Sequence, residues 1–91
     1  MIVSYRGKRT RDFVSEKRVS AFSGFERSAE NKLAQFDSAT ALADLRRPGN
    51  RLEALKGNRK GQYSIRINDQ WRLCFAWQDG DALDVEIVDY H

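Results

Sequence analysis

Apolar and polar residues alternate most regularly in the last third of the chain. Tyr63, Ile65 and Ile67 alternate with Ser64, Arg66 and Asn68. Trp71, Leu73, Phe75 and Trp77 alternate with Arg72, Cys74 and Ala76. Leu83, Val85 and Ile87 alternate with Asp84, Glu86 and Val88, and Tyr90 continues that second set. A period of two predicts strands with one buried and one partly open face. Three strands are therefore expected between Gln62 and His91, joined by turns at Asn68-Asp69-Gln70 and Asp79-Gly80-Asp81. A slip of one residue would turn each strand inside out, so the same pattern fixes the register. It sets Arg66 opposite Arg72 and Arg72 opposite Val88. Tyr90 then lies diagonal to Arg72, at roughly 7–8 Å between backbones. Helices are expected to cover the face of Ile65, Leu73, Phe75, Val85 and Ile87. Trp71 and Trp77 fall on that side and read as core.

Upstream the period changes. Ile2–Tyr5 is a short β-branched run and reads as a first strand. Lys8–Arg18 is basic and helix-compatible around Phe13 and Val14, and Ser20–Gly24 is a break. Phe25, Ala29, Leu33 and Phe36 recur at spacings of four, four and three, which predicts an amphipathic helix. Asp37-Ser38 is positioned to cap a further short helix with Leu42 and Leu45, which Pro48-Gly49-Asn50 would end. Leu52 to Gly57 reads as a short strand or extended segment, and Asn58–Gly61 as a basic turn. The class is α+β: an N-terminal strand and two to three helices on an antiparallel sheet. With 91 residues and no linker or repeat, residues 1–91 are expected to form one domain.

Charge narrows the function. All sixteen Lys and Arg lie in residues 1–72, with eight of the acids, whereas residues 73–91 hold five acids and no Lys or Arg. That asymmetry suggests a basic face for a polyanion beside an acidic strand; it is equally the pattern of a solvated surface. Lys8, Arg9 and Arg11 read as solvated charge or as a contact patch for nucleic acid. Cys74 is the one cysteine, so an internal disulfide is excluded and a buried thiol in a reducing compartment is expected. One Cys and one His cannot build a metal cluster, and no cofactor is implied. Met1 is not followed by an apolar run of signal-peptide length, and no segment could span a membrane. A cytoplasmic protein is expected.

The chain's one histidine, His91, follows Tyr90 at the end of the last strand. Strand geometry brings Arg72, Tyr90 and His91 together, and Glu53 and Lys56 come from the preceding basic segment. Two arginines facing each other repel, and a bound anion between them would remove that penalty. Phosphate is the natural candidate. Taken singly, each residue has an ordinary reading. His91 could be a passive tail residue, Tyr90 packing, Glu53 a solvated carboxylate, and Arg66 a surface partner of Glu86 or Asp84. RNA cleavage, however, needs few parts. One group takes the 2′-hydroxyl proton, cations stabilise charge on the phosphate, and another group protonates the leaving 5′-oxygen. Lys56, Arg66 and the turn residues Arg59 and Lys60 are the candidate RNA-phosphate contacts.

Three segments carry a family resemblance. They are Asn50-Arg51-Leu52-Glu53-Ala54-Leu55-Lys56-Gly57, Tyr63 through Asn68-Asp69-Gln70-Trp71-Arg72 to Phe75, and Val85-Glu86-Ile87-Val88-Asp89-Tyr90-His91. Together with Ile2-Val3-Ser4-Tyr5 they resemble the HigB branch of the RelE/ParE toxin superfamily. The resemblance implies a RelE-like bacterial toxin of a type II toxin–antitoxin module. Such a toxin would cut translated mRNA in the A site of the 70S ribosome without a metal. A helix-turn-helix antitoxin of HigA type would neutralise it, and operator DNA would be met only through that complex. By position, Arg72 would act on the scissile phosphate, Tyr90 and His91 would position the nucleotide and supply acid-base function beside Asp89, and Lys56 would contact the backbone. Glu53 stands where members of that branch carry a catalytic histidine, so either Glu53 or His91 is the expected base. Two rivals share the fold: a gyrase inhibitor of ParE type, and a weakly active or non-enzymatic RNA-binding module.

Overall fold

The structure is a computed structural model and describes residues 1–89. Four strands form one antiparallel sheet in the order β1 (Glu53–Ala54), β2 (Gln62–Arg66), β3 (Trp71–Gln78), β4 (Asp81–Asp89). The register follows the alternation. Ile65 faces Leu73, Arg66 faces Arg72, and Arg72 faces Val88. The turn after β2 is held by Asn68, whose Oδ1 accepts from the Gln70 and Trp71 N–H groups at 2.9 and 2.8 Å. The residue type suits it, since a short acceptor side chain can bond its own backbone two residues on.

One face of the sheet meets the helices. Ile65, Leu73, Phe75, Val85 and Ile87 are buried there with Phe22, Ala29, Phe36 and Leu45. Phe36 of α2 (Glu26–Ser38) packs edge-on to Phe75 at 4.8 Å. Trp71 is core, between Phe22 and Phe25. Trp77 is half-buried and packs against the cluster from its margin.

Four local expectations are corrected. Leu83 does not share a face with Val85. Cys74 pairs with Glu86 but Ala76 with Leu83, so β4 carries one extra residue at a bulge where Asp84 has φ 52°. A bulge shifts the phase of the strand beyond it, so Ala82 becomes the buried residue and Leu83 is half-buried. The N-terminal segment is not a full strand. It runs parallel to the edge of β4 through two isolated bridges, Ile2 to Ala82 and Tyr5 to Val85, and Ser4 Oγ accepts the Asp84 N–H at 2.8 Å where the bulge breaks the ladder.

The first helix, α1 (Lys8–Val14), stops well before Arg18. Its end is closed when Glu16 N–H donates to the Phe13 carbonyl and Lys17 N–H to the Asp12 carbonyl, with Glu16 at φ 66°. A left-handed residue after the last turn stops a helix in this way. Finally, Asp37 and Ser38 stay inside α2 and cap nothing. The single turn Leu42–Leu45 is closed by Asp44, which accepts from the Thr40 and Ala41 N–H groups at 2.9 and 3.0 Å. Those two bonds hold the Asp44 carboxyl below its ordinary pKa.

Candidate functional site

The sheet face away from the helices carries Ser64 and Arg66 on β2, Arg72 and Cys74 on β3, and Glu86 and Val88 on β4. Glu53 joins from β1, opposite Ser64. Arg72 is the anchor. It is only 8% exposed, which is rare for a cation without partners. Its Nε donates to Ser64 Oγ at 2.8 Å and its Nη2 to the Arg51 carbonyl at 2.7 Å. Nη2 also lies 3.5 Å from Glu53 Oε1. The planar fork of a guanidinium can meet these at once, which an ammonium could not. The guanidinium is thus aimed before any ligand arrives.

Beside it is a cleft of about 160 Å³ lined by Arg51, Arg66, Asn68, Asp69 and Arg72. Three of those side chains are cationic. Arg66 pairs with the neighbouring Asp69, not with Glu86 or Asp84. The reason is distance across the sheet: Glu86 faces Cys74 and is separated from β2 by β3. Asp69 is fully exposed at the turn, so the pair is easily opened. Three guanidinium groups around a polar cleft are an arrangement that favours an anion. A larger cleft of about 420 Å³ lies on the other side of Glu53, lined by Glu53, Ala54, Leu55, Lys56, Asn58 and Arg59. Glu53, with about half its side chain exposed, therefore sits between the arginine cleft and the larger one.

The remaining candidates divide. Lys56 lines the larger cleft. Arg59 lines it too, but donates to Gln62 Oε1 and to Glu86 Oε1, each at 3.1 Å. Its charge is partly committed to Glu86. Lys60 is exposed on the same turn and lines neither cleft. Asp89 faces Trp71 in the register, which puts it on the sheet face opposite Arg72, where it accepts from Gln70 Nε2 at 3.1 Å. Tyr90 and His91 lie outside the described residues. Cys74 is a buried thiol beneath the polar face, its pKa pushed up by burial. Among the described residues no group of three or more His, Cys, Asp or Glu is placed to hold a metal ion, and no helix is long and apolar enough to cross a membrane.

Three participants were not named from sequence. Ser64 was visible in principle, being two residues from Arg66 on the same face. The Arg51 carbonyl was not, because a main-chain group has no residue signature. Lys32 was also missed. It comes from α2 and donates to Asn50 Oδ1 at 2.5 Å. Its pKa is lowered by burial and by the nearby charges of Arg66 and Arg47.

The fold is that of small RelE-like toxins. The chain superposes on YoeB in the YoeB–YefM toxin–antitoxin complex from Staphylococcus aureus with a TM-score of 0.62 at 20% identity, covering 100% of this chain and 98% of that one. It superposes on a point mutant of YafQ from E. coli with a TM-score of 0.69 at 11% identity, covering 98% and 93%. Residues 5–91 match the HigB-like toxin family, described as the RelE-like toxin of the type II toxin–antitoxin system HigB, and the chain belongs to that family. Among curated proteins, Toxin HigB-1 of Vibrio cholerae serotype O1 is 52% identical over 63 residues, covering 68% of this chain. Endoribonuclease HigB of Proteus vulgaris is 38% identical over 61 residues, covering 67% of this chain. In each case the match spans 66% of the relative's own length.

Proposed function

We propose that the chain is a growth-inhibiting endoribonuclease that cleaves translated mRNA in the ribosomal A site. The observation that carries this reading is the buried, fully aimed Arg72 guanidinium beside a cleft of further arginines. The name of the Proteus vulgaris relative, Endoribonuclease HigB, supports the activity.

In the proposed reaction the 2′-hydroxyl attacks the adjacent phosphorus, and the P–O5′ bond breaks. Glu53 takes the 2′-hydroxyl proton. Arg72 and Arg66 stabilise the charge that gathers on the phosphate oxygens. His91, aided by Tyr90, returns a proton to the departing 5′-oxygen. The products are a 2′,3′-cyclic phosphate and a free 5′-hydroxyl. Because nucleophile and phosphate belong to one nucleotide, holding them in line supplies much of the acceleration. Lys56, Arg59 and Lys60 would follow the RNA backbone from the larger cleft. Asp89 would act only from the opposite face, as a support for the strand end.

The partners follow from the same reading. A cognate antitoxin restrains the toxin, and a helix-turn-helix protein of HigA type is the proposed one. The ribosome presents the substrate, and the protein works in the bacterial cytoplasm. Primer extension on cellular mRNA after brief expression tests the activity. Cuts inside translated codons, suppressed by co-expressing the neighbouring small reading frame, are expected. Intact mRNA with DNA damage would indicate gyrase poisoning instead.

A further inference from the structure

Asn50 lines neither cleft described above, yet it is completely buried. Every polar group of its side chain is used. Nδ2 donates to Gln35 Oε1 at 2.8 Å and to the Leu45 carbonyl at 2.9 Å, and Oδ1 accepts from Lys32 Nζ at 2.5 Å. Its own carbonyl accepts the Arg66 N–H at 2.6 Å. The next residue, Arg51, is left-handed at φ 48° and turns its carbonyl onto Arg72 Nη2 at 2.7 Å. One buried amide thus ties α2 to a turn that carries the cleft residue Arg51 and from which the other two cleft arginines take a bond: Arg66 through its main chain, Arg72 through its guanidinium.

We propose that Asn50 is a positioning residue for the arginine cleft. It locks the turn before β1 against α2, and so fixes the Arg51 carbonyl that aims Arg72 and the end of β2 that carries Arg66. An apolar residue could fill the same space. It could not hold the turn in one position through three directed bonds, and that directed hold is what an aimed guanidinium requires. Lys32 strengthens the hold because its bond to Asn50 is charge-assisted. The inference rests on the cleft's being the RNA-cleaving site.

A double-mutant cycle tests it, with single-turnover cleavage of ribosome-bound mRNA as the readout. Asn50→Ala is expected to slow cleavage about 10- to 100-fold, since small misplacements of a catalytic group cost on that order. Ribosome affinity should stay within about threefold. In an Arg72→Ala background the same change should cost clearly less than in wild type, with only the part that runs through Arg66 remaining, because groups that act as one unit are not additive. Circular dichroism at the assay temperature confirms that each variant is folded. Should Asn50→Ala fail that check, Gln35→Met removes one of its partners and carries the same cycle, with a smaller loss that again shrinks without Arg72. Equal losses with and without Arg72 would make Asn50 a general structural joint and overturn the proposal alone. Wild-type cleavage by Arg72→Ala would overturn the reading of the cleft, and this proposal with it.

Discussion

At the scale of single residues, the site turns on what an arginine can do that a lysine cannot. Arg72 meets a hydroxyl, a carbonyl and a carboxylate from one buried position. Arg72→Lys keeps the charge and loses the fork, so cleavage should fall nearly as far as in Arg72→Ala. Glu53, the proposed base, is the second residue to test. Glu53→Gln preserves shape but cannot accept a proton, so it should lower the single-turnover rate while ribosome binding stays within about threefold. Unchanged cleavage by this variant, measured on stalled ribosomes, would remove Glu53 as the base. The facing pair Arg66 and Arg72 was legible from alternation alone, because a period of two leaves one register that keeps the apolar faces together. Their contacts were not. Which acid answers Arg66, and which carbonyl answers Arg72, depends on turns whose path a single sequence does not encode.

At the scale of elements, departures from the pattern come from local bonds that override it. The bulge in β4 is one. Asp84 is left-handed at φ 52° and its N–H is taken by Ser4. Asp84→Val forces a β-branched residue into that region and should destabilise the protein by about 1–3 kcal/mol in urea unfolding, whereas Asp84→Gly should be nearly neutral. Equal losses would show that the Asp84 side chain, not its backbone, holds the bulge.

Asp44 is another such element. Its carboxyl titrates lower in the folded protein than in the unfolded chain. Its contribution is therefore present above the ordinary carboxylate range and lost as pH falls through the folded pKa. Asp44→Ala should lower Tm at neutral pH, and the gap to wild type should narrow in acid. A gap that does not change with pH would argue against the charged cap. Neither device left a strong mark in the sequence. Asp84 sits in perfect alternation, and Asp44 lies inside the turn it caps, three residues after the last N–H it binds.

Over the whole molecule, the uneven charge proves to be uneven in its commitments. The acids of β4 are largely answered nearby: Asp81 by the N-terminal ammonium, Asp84 by Ser4, and Glu86 by Arg59. The arginine cleft is answered by Asp69, which is exposed, and by Glu53. On the proposed reading, the net charge of +3 understates the pull of three clustered arginines on a polyanion. Binding of a single-stranded RNA oligonucleotide, followed by fluorescence anisotropy across salt concentrations, should weaken steeply with salt. Arg66→Ala should reduce the slope of log K against log salt by roughly 0.7, the value for one phosphate contact on a single strand. An unchanged slope would place Arg66 off the RNA path. The broad architecture was readable in advance because alternating strands, an amphipathic helix and charge segregation are all properties of long windows. The chemistry, by contrast, depends on one group in one place. Single-turnover cleavage of mRNA programmed in the A site of purified ribosomes, by wild type and by folded Arg72→Ala, tests it most directly. A fall of about 10²- to 10³-fold with little change in ribosome affinity is the predicted result. Cleavage at the wild-type rate would contradict it.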